Sequence, residues 1–354
     1  MDAKSYESFT FVLLALVKKA QHHQEEQLQH DKEGDLELSP EQFERARRYG
    51  RYAINMYPAS WKGDLESIGE RMGIEADSIL MVWFSDQEEE GHCPKFLLFL
   101  DHEAKSLVLA IRGTFCIKDA VLDAVCEEVP FLDGFAHKGI LDGAQIILSK
   151  ISDQLVTSLS DHPDYNLVVT GHSLGAGTAE LITLDLMMGQ HSHVLPSTTR
   201  LSCIALAAPP VYRAETALPA RVSTAVEIYV NNYDCVPRLS LGSIARLLVS
   251  MRAVDNLGLT LTEQLSILAG RSDDENVQKN TSRLVEAVMA ARQDKFPILE
   301  HPGTIFHARK GDKDSQVLHR SQSRQFTEVL LLLDDMVLDH LHTSYEHTLN
   351  NIKI

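Results

Sequence analysis

The chain predicts an α/β fold in which buried strands alternate with helices around a mostly parallel central sheet, and three observations carry that expectation. Short apolar runs such as Ser106 to Ile111, Ala225 to Val230 and Pro302 to Ala308 have the length of strands covered on both faces. Strand-like and helix-like stretches alternate from Ile79 to the C-terminus, the pattern of crossover connections in a parallel sheet. Residues 166 to 177 read Asn-Leu-Val-Val-Thr-Gly-His-Ser-Leu-Gly-Ala-Gly, a strand running through a glycine-flanked serine into an apolar helix that reaches Met188. With 354 residues, 44% of them apolar, the chain can bury one large core. No internal repeat is present.

The N-terminal part reads as helical. Tyr6 to Gln21 is amphipathic and is followed by a polar run from Gln21 to Glu37. Ser39-Pro40-Glu41-Gln42 is a capping box with proline at the first helical position, and the helix it opens carries Phe43, Ala46, Tyr49, Ala53 and Tyr57 on one face. We expect residues 1–60 to pack as helices on one larger α/β domain formed by 61–354. Ser106 to Ile111 is then a buried strand ending in Arg112-Gly113-Thr114-Phe115. After it, Ile117 to Val125 spaces apolar side chains among charges as a short amphipathic helix, either a surface helix or a movable cover over a site.

Ser173 stands in Gly171-His172-Ser173-Leu174-Gly175, where strand precedes and helix follows. Such a turn projects a serine hydroxyl above the sheet as a nucleophile. Small residues at Ala176, Gly177 and Ala179 let the helix approach the sheet; the plain alternative is an ordinary serine in a glycine-rich turn. A serine nucleophile needs a base, an acid that orients it and donors for the oxyanion, in chain order serine, acid, histidine. Asp234 follows the Ala225 to Val230 strand at its carboxyl edge and fits the acid, although an aspartate there is also a common turn former. Of the 16 histidines, His340 lies where the apolar helix preceding Val337-Leu338-Asp339 gives way to a loop and fits the base. His347 sits deeper in a terminal helix and reads as a solvated face. His342 is passed over, and His301 and His307 read as structural. The Leu174 amide, with the Thr114 amide and hydroxyl, supplies candidate oxyanion donors.

Together, Gly113-Thr114, the segment Ile117 to Val125, Phe135-Ala136-His137-Lys138-Gly139, the Gly171 to Gly177 turn, Asp234-Cys235-Val236-Pro237-Arg238 and Asp339-His340 resemble the class 3, fungal-type lipase family. The resemblance runs from about Tyr49 to the C-terminus. It implies an α/β-hydrolase fold with Ser173 as nucleophile, Asp234 as orienting acid, His340 as base, and Thr114 and Leu174 as oxyanion donors. Residues 240–295 exceed what a simple crossover requires. Ile244, Leu247, Leu248, Met251 and Val254 recur at helical spacing there, as do Leu284, Val288 and Ala291, with a polar break from Arg271 to Asn280. This is expected to be a helical insertion before the last strands, and it makes the layout similar to the diacylglycerol lipase-like branch. It either governs substrate access or is a structural excursion.

The expected activity is hydrolysis of glycerolipid acyl esters through an acyl-enzyme. Phospholipase A1 or short-ester carboxylesterase activity is an alternative, and so is a non-catalytic lipid-binding or interaction protein. The formal charge of −17 and the absence of a basic cluster argue against nucleic acid and against attraction to anionic lipid, so contact with a membrane or lipid droplet would be hydrophobic. The apolar run Phe9 to Val17 is too short to span a bilayer and lacks signal-peptide flanks. Five cysteines without Cys-x-x-Cys spacing suggest thiols in a reducing, cytoplasmic setting. Asn280-Thr281-Ser282 matches a glycosylation acceptor that such a setting would leave silent. No metal or cofactor is expected.

Overall fold

A computed structural model describes residues 12–21, 38–57, 64–84, 93–113, 127–270, 274–291, 297–310, 316–321, 323–326 and 336–352. The candidate oxyanion residue Thr114, the segment Ile117 to Val125, and the apolar stretch directly before Met336 lie outside the described residues.

Helical residues 12–21 (α1) precede α2 (Pro40–Asn55). In α2 the expected capping box is present: Ser39 Oγ accepts from the Gln42 amide while the Gln42 side chain accepts from the Ser39 amide. Phe43, Ala46, Tyr49 and Ala53 of α2 are buried. Tyr57 departs from that face, because the helix ends at the Met56 cap and the side chain turns elsewhere. Next come α3 (Leu65–Met72) and the strands β1 (Ile79–Trp83), β2 (Phe96–Asp101) and β3 (Ser106–Ile111), followed by a β4–β5 hairpin (Glu128–Phe131, Gly134–His137) and α4 (Lys138–Asp161). The chain continues through β6 (Asn166–His172), α5 (Leu174–Met188), β7 (Leu201–Leu206), β8 (Tyr212–Ala214), α6 (Ala220–Ala225) and β9 (Val226–Asn231). Three helices, α7 (Leu241–Asp255), α8 (Leu261–Leu268) and α9 (Glu275–Ala291), fill most of the expected insertion, and β10 (Thr304–Lys310), β11 (Gln316–Ser321) and α10 (His342–Asn351) complete the described elements.

The main sheet has the order β1-β2-β3-β6-β7-β9-β10-β11. Its centre, from β3 to β10, is parallel, whereas β1, β2 and β11 join antiparallel. A small antiparallel sheet β4-β5-β8 stands apart. The two-residue period of the strands sorts side chains onto two faces. Leu107, Leu109, Ile111, Leu167, Val169, Cys203 and Ala205 point into one core shared with α4 and α5. Val108, Ala110, Val168, Ile204, Leu206 and Tyr229 point into another, shared with α2, α3 and α10. This is the α/β-hydrolase arrangement of a mostly parallel sheet between helical layers.

A third cluster joins Leu13, Leu16, Val17 and Ala20 of α1 to Val254, Ile267, Val277, Leu284 and Val288 of the insertion, and to Cys235, Val236 and Leu239. The first helix therefore packs on the insertion, beside the loop that carries Asp234, while α2 packs on the sheet. The polar break is shorter than its composition suggests, since α9 already begins at Glu275; α8 has no counterpart in the apolar pattern read from the sequence. Asn280 is buried within α9, its side chain donating to Glu263, so the glycosylation motif is not in a surface loop.

Candidate active site

Ser173 takes its place from the backbone around it. β6 lies between β3 and β7, so Gly171 is level with Ile111 on one side and Ala205 on the other. The chain then enters α5 through Ser173 at φ 59° and ψ −130°, a conformation costly for a residue with a side chain. It is held there because the Ser173 amide donates to the Leu206 carbonyl at 2.8 Å and its own carbonyl accepts from the Ala176 amide at 2.9 Å. Glycines clear the turn: a Cβ on Gly171 would stand 2.4 Å from the Gly175 backbone, and one on Gly175 would stand 2.4 Å from the Ile111 carbonyl oxygen.

The parallel register brings the ends of β3, β6 and β9 to one edge, and β9 leads to Asp234 three residues beyond its last position. The turn 336–340 comes to the same edge. His340 Nε2 lies 3.0 Å from Ser173 Oγ, and Nδ1 lies 3.0 and 3.1 Å from the two Asp234 oxygens. A carboxylate facing Nδ1 selects the tautomer with the proton there, which leaves the Nε2 lone pair toward the serine hydroxyl. Asp234 is fully buried and also accepts from the Val236 amide at 2.9 Å and the Tyr345 hydroxyl at 2.7 Å. Burial first, and then the Asp234 charge, push the Tyr345 phenol well above its ordinary pKa, so it remains a donor. Its oxygen in turn accepts the Asn231 amide at 3.0 Å.

Three further hydrogen bonds fix the histidine turn. The Asn231 side chain donates to the Asp339 carbonyl at 3.0 Å and the Tyr233 amide to the Asp339 carboxylate at 3.1 Å, which stitches the turn to the loop bearing Asp234. His172 Nε2 donates to the His340 carbonyl at 3.0 Å. Leu174 opens α5, where a first-turn amide has no intrahelical acceptor and the helix dipole favours negative charge.

The remaining histidines are arranged otherwise. His301 donates to the Pro237 carbonyl at 2.9 Å and His307 to the Asn232 carbonyl at 2.6 Å. Burial depresses both, His301 to about 4 and His307 to about 3, so they are neutral braces at neutral pH. His347 is exposed on α10, where Asn351 bonds to its carbonyl. Tyr345 and His172 escaped the sequence reading; only a helical phase placing Tyr345, Thr348 and Leu349 on one buried face marks the former. Among the described residues no cluster of three or more His, Cys, Asp or Glu side chains is arranged to hold a metal, and no helix is long and apolar enough to cross a membrane.

Residues 108–243 match the lipase (class 3) family. Over this segment the chain is similar to the class 3 lipases. The segment contains Ser173 and Asp234 and ends before the body of the insertion, so His340 falls outside it. Diacylglycerol lipase-beta of Mus musculus is 34% identical over 128 residues, 34% of this chain and 19% of that protein. Diacylglycerol lipase-alpha of Homo sapiens is 31% identical over 163 residues, 42% of this chain and 15% of its own length. The chain thus spans less than a fifth of these mammalian relatives. A secreted mono- and diacylglycerol lipase A of Penicillium cyclopium is 36% identical over 90 residues, 25% of this chain and 30% of that one. Among solved structures, Rhizomucor miehei triacylglyceride lipase superposes with a TM-score of 0.54 at 18% identity, covering 87% of this chain and 96% of that one, a likeness of fold.

Proposed function

We propose that the protein is a serine hydrolase that cleaves acyl esters of glycerolipids, with 61–354 as one catalytic domain. The observation that carries the reading is the unbroken run of contacts from Ser173 Oγ through both nitrogens of His340 to the Asp234 carboxylate, at 3.0 Å per step, on the carboxyl edge of the sheet. In this reading His340 takes the Ser173 proton through Nε2 and Asp234 steadies the resulting imidazolium. The serine oxygen attacks the ester carbonyl, and the Leu174 amide, with Thr114 as the second donor, holds the oxyanion. Collapse expels the alcohol with the proton from His340. A water activated by the same nitrogen then releases the fatty acid.

The substrate class is supported by the segment similar to class 3 lipases and by relatives named as mono- and diacylglycerol lipases. Apolar side chains next to the base support a lipid substrate, since Leu338 and Leu341 flank His340 and are exposed. Contact with a lipid surface would be hydrophobic, given the net charge of −17. A cytoplasmic setting is supported by Cys203 and Cys235, which are buried free thiols.

Ser173→Ala tests the reading. It should abolish ester hydrolysis, a loss on the order of 10⁶ in rate, and abolish labelling by a serine-directed fluorophosphonate while the thermal midpoint holds. A panel of mono-, di- and triacylglycerols, phospholipids and short esters assigns the substrate. Equal turnover or labelling in the alanine variant sinks the assignment.

A further inference from the structure

Tyr57, at the end of the second helix of the N-terminal region, reaches into the site. Tyr57 follows the Met56 cap of α2, outside the segment that matches the class 3 lipases, yet its hydroxyl ends between three segments that build the site. Gly113 packs against the hydroxyl oxygen. The approach is so close that a Cβ on Gly113 would stand 2.4 Å from that oxygen. The hydroxyl lies 3.0 Å from His172 Nδ1, with the His172 carbonyl oxygen at 3.3 Å. The Tyr57 ring stacks on His342, two residues past His340, with centroids 4.9 Å apart and planes 7° from parallel.

The direction of these bonds is determined by their ends. A carbonyl only accepts, so His172 Nε2 carries a proton and donates it to His340 O. Burial, and then the neighbouring His340, hold the His172 imidazole well below its ordinary pKa, so the ring is neutral and Nδ1 keeps a lone pair. Among the described residues that lone pair, at 3.0 Å, is a nearer acceptor for the Tyr57 proton than the His172 carbonyl at 3.3 Å. The outcome is one polarised run: Tyr57 O–H to His172 Nδ1, then His172 Nε2–H to the carbonyl of His340, with Gly113 packed against the Tyr57 oxygen. Bonds aligned in this way reinforce one another in a low-dielectric interior. The run starts beside Gly113 and ends on the backbone of the base.

We propose that Tyr57 is a positioning residue of this site: its hydroxyl selects the His172 tautomer and thereby holds the His340 backbone and the Gly113 turn at the spacing Ser173 requires. The proposal rests on the reading of Ser173 and His340 as nucleophile and base. A tyrosine that merely fills space would contribute to stability alone. Displacement of reacting groups by about 1 Å costs on the order of 10² in rate, so loss of the hydroxyl should be visible in chemistry even when the fold persists.

Tyr57→Phe removes one oxygen and leaves the ring and its stack on His342. We expect kcat on a soluble short-chain ester to fall roughly 10- to 100-fold with KM within about twofold. The rate constant for fluorophosphonate labelling should fall in parallel, and the thermal midpoint should move by a few degrees at most. His172→Gln supplies a partner, because its amide offers a donor to the His340 carbonyl that does not depend on a tautomer. Adding Tyr57→Phe to His172→Gln should therefore cost clearly less than Tyr57→Phe costs alone. Wild-type kcat and labelling in Tyr57→Phe, a loss confined to the amount of folded protein, or strictly additive effects in the double variant would each overturn the proposal. Labelling of the wild type at Ser173 separates the two levels: if it fails, the hydrolase reading falls and the positioning role falls with it.

Discussion

Asp234 shows how one residue's surroundings define its chemistry. Its buried carboxyl meets three donors: His340 Nδ1, the Val236 amide and the Tyr345 hydroxyl. Tyr345→Phe removes one of them and strands the Asn231 amide, a loss worth about 1–3 kcal/mol of stability. We expect kcat to fall by roughly tenfold. A thermal scan and steady-state kinetics check both; an unchanged kcat would show that Tyr345 serves packing alone. The carboxylate and the histidine are visible in sequence as a strand end and a helix end. Tyr345 carries no such mark, since its role depends on where α10 docks.

At the scale of elements, the insertion is two things at once. Its inner faces build a core with α1, in which Leu284 and Val288 are buried beside Val236 and Leu239, residues of the loop that carries Asp234. Its outer faces leave Leu248, Leu261 and Leu265 at 60%, 63% and 53% exposure. Leu284→Ala should cost roughly 2–5 kcal/mol and lower activity on every ester with the folded fraction. Changing Leu248, Leu261 and Leu265 together to Ser should leave stability within about 0.5 kcal/mol per site and short-ester hydrolysis unchanged, while turnover of emulsified diacylglycerol drops. Matched losses on soluble and emulsified esters would show that these leucines have no part in meeting lipid. Helical spacing in 240–295 shows that helices form there. It does not show that α1, more than 200 residues earlier in the chain, completes their core.

For the whole molecule, pH acts through groups remote from Ser173. His301 and His307 are held neutral by burial, at about 4 and about 3, both below the ordinary value of 6.5. Below pH 6.5 the unfolded chain takes up protons that the folded chain refuses. Their stabilising contribution is therefore complete above about 6.5 and is lost as pH falls through about 4 and then about 3, at about 1.4 kcal/mol per unit for each histidine. The thermal midpoint should decline steadily from pH 6.5 to 4, and His307→Gln should flatten part of that decline. A midpoint independent of pH over this range would contradict the buried, neutral assignment. Glu180, fully buried on α5, runs the other way: burial raises its pKa well above 4.5, so it favours the folded state least at high pH.

The amino-acid sequence by itself determined what local chemistry can encode. Two-residue alternation places strand side chains on two faces, the Ser39 to Gln42 box starts a helix, and two glycines around Ser173 permit a turn closed to bulkier residues; each depends on atoms a few positions apart. Tertiary structure alone decided which distant groups meet. Ser173 and His340 are 167 positions apart, Asp234 and His340 are 106, and Tyr57 and His172 are 115. Contacts at such separations depend on strand order, sheet register and helix docking, which are properties of the assembled core, and no periodic pattern within one segment records them.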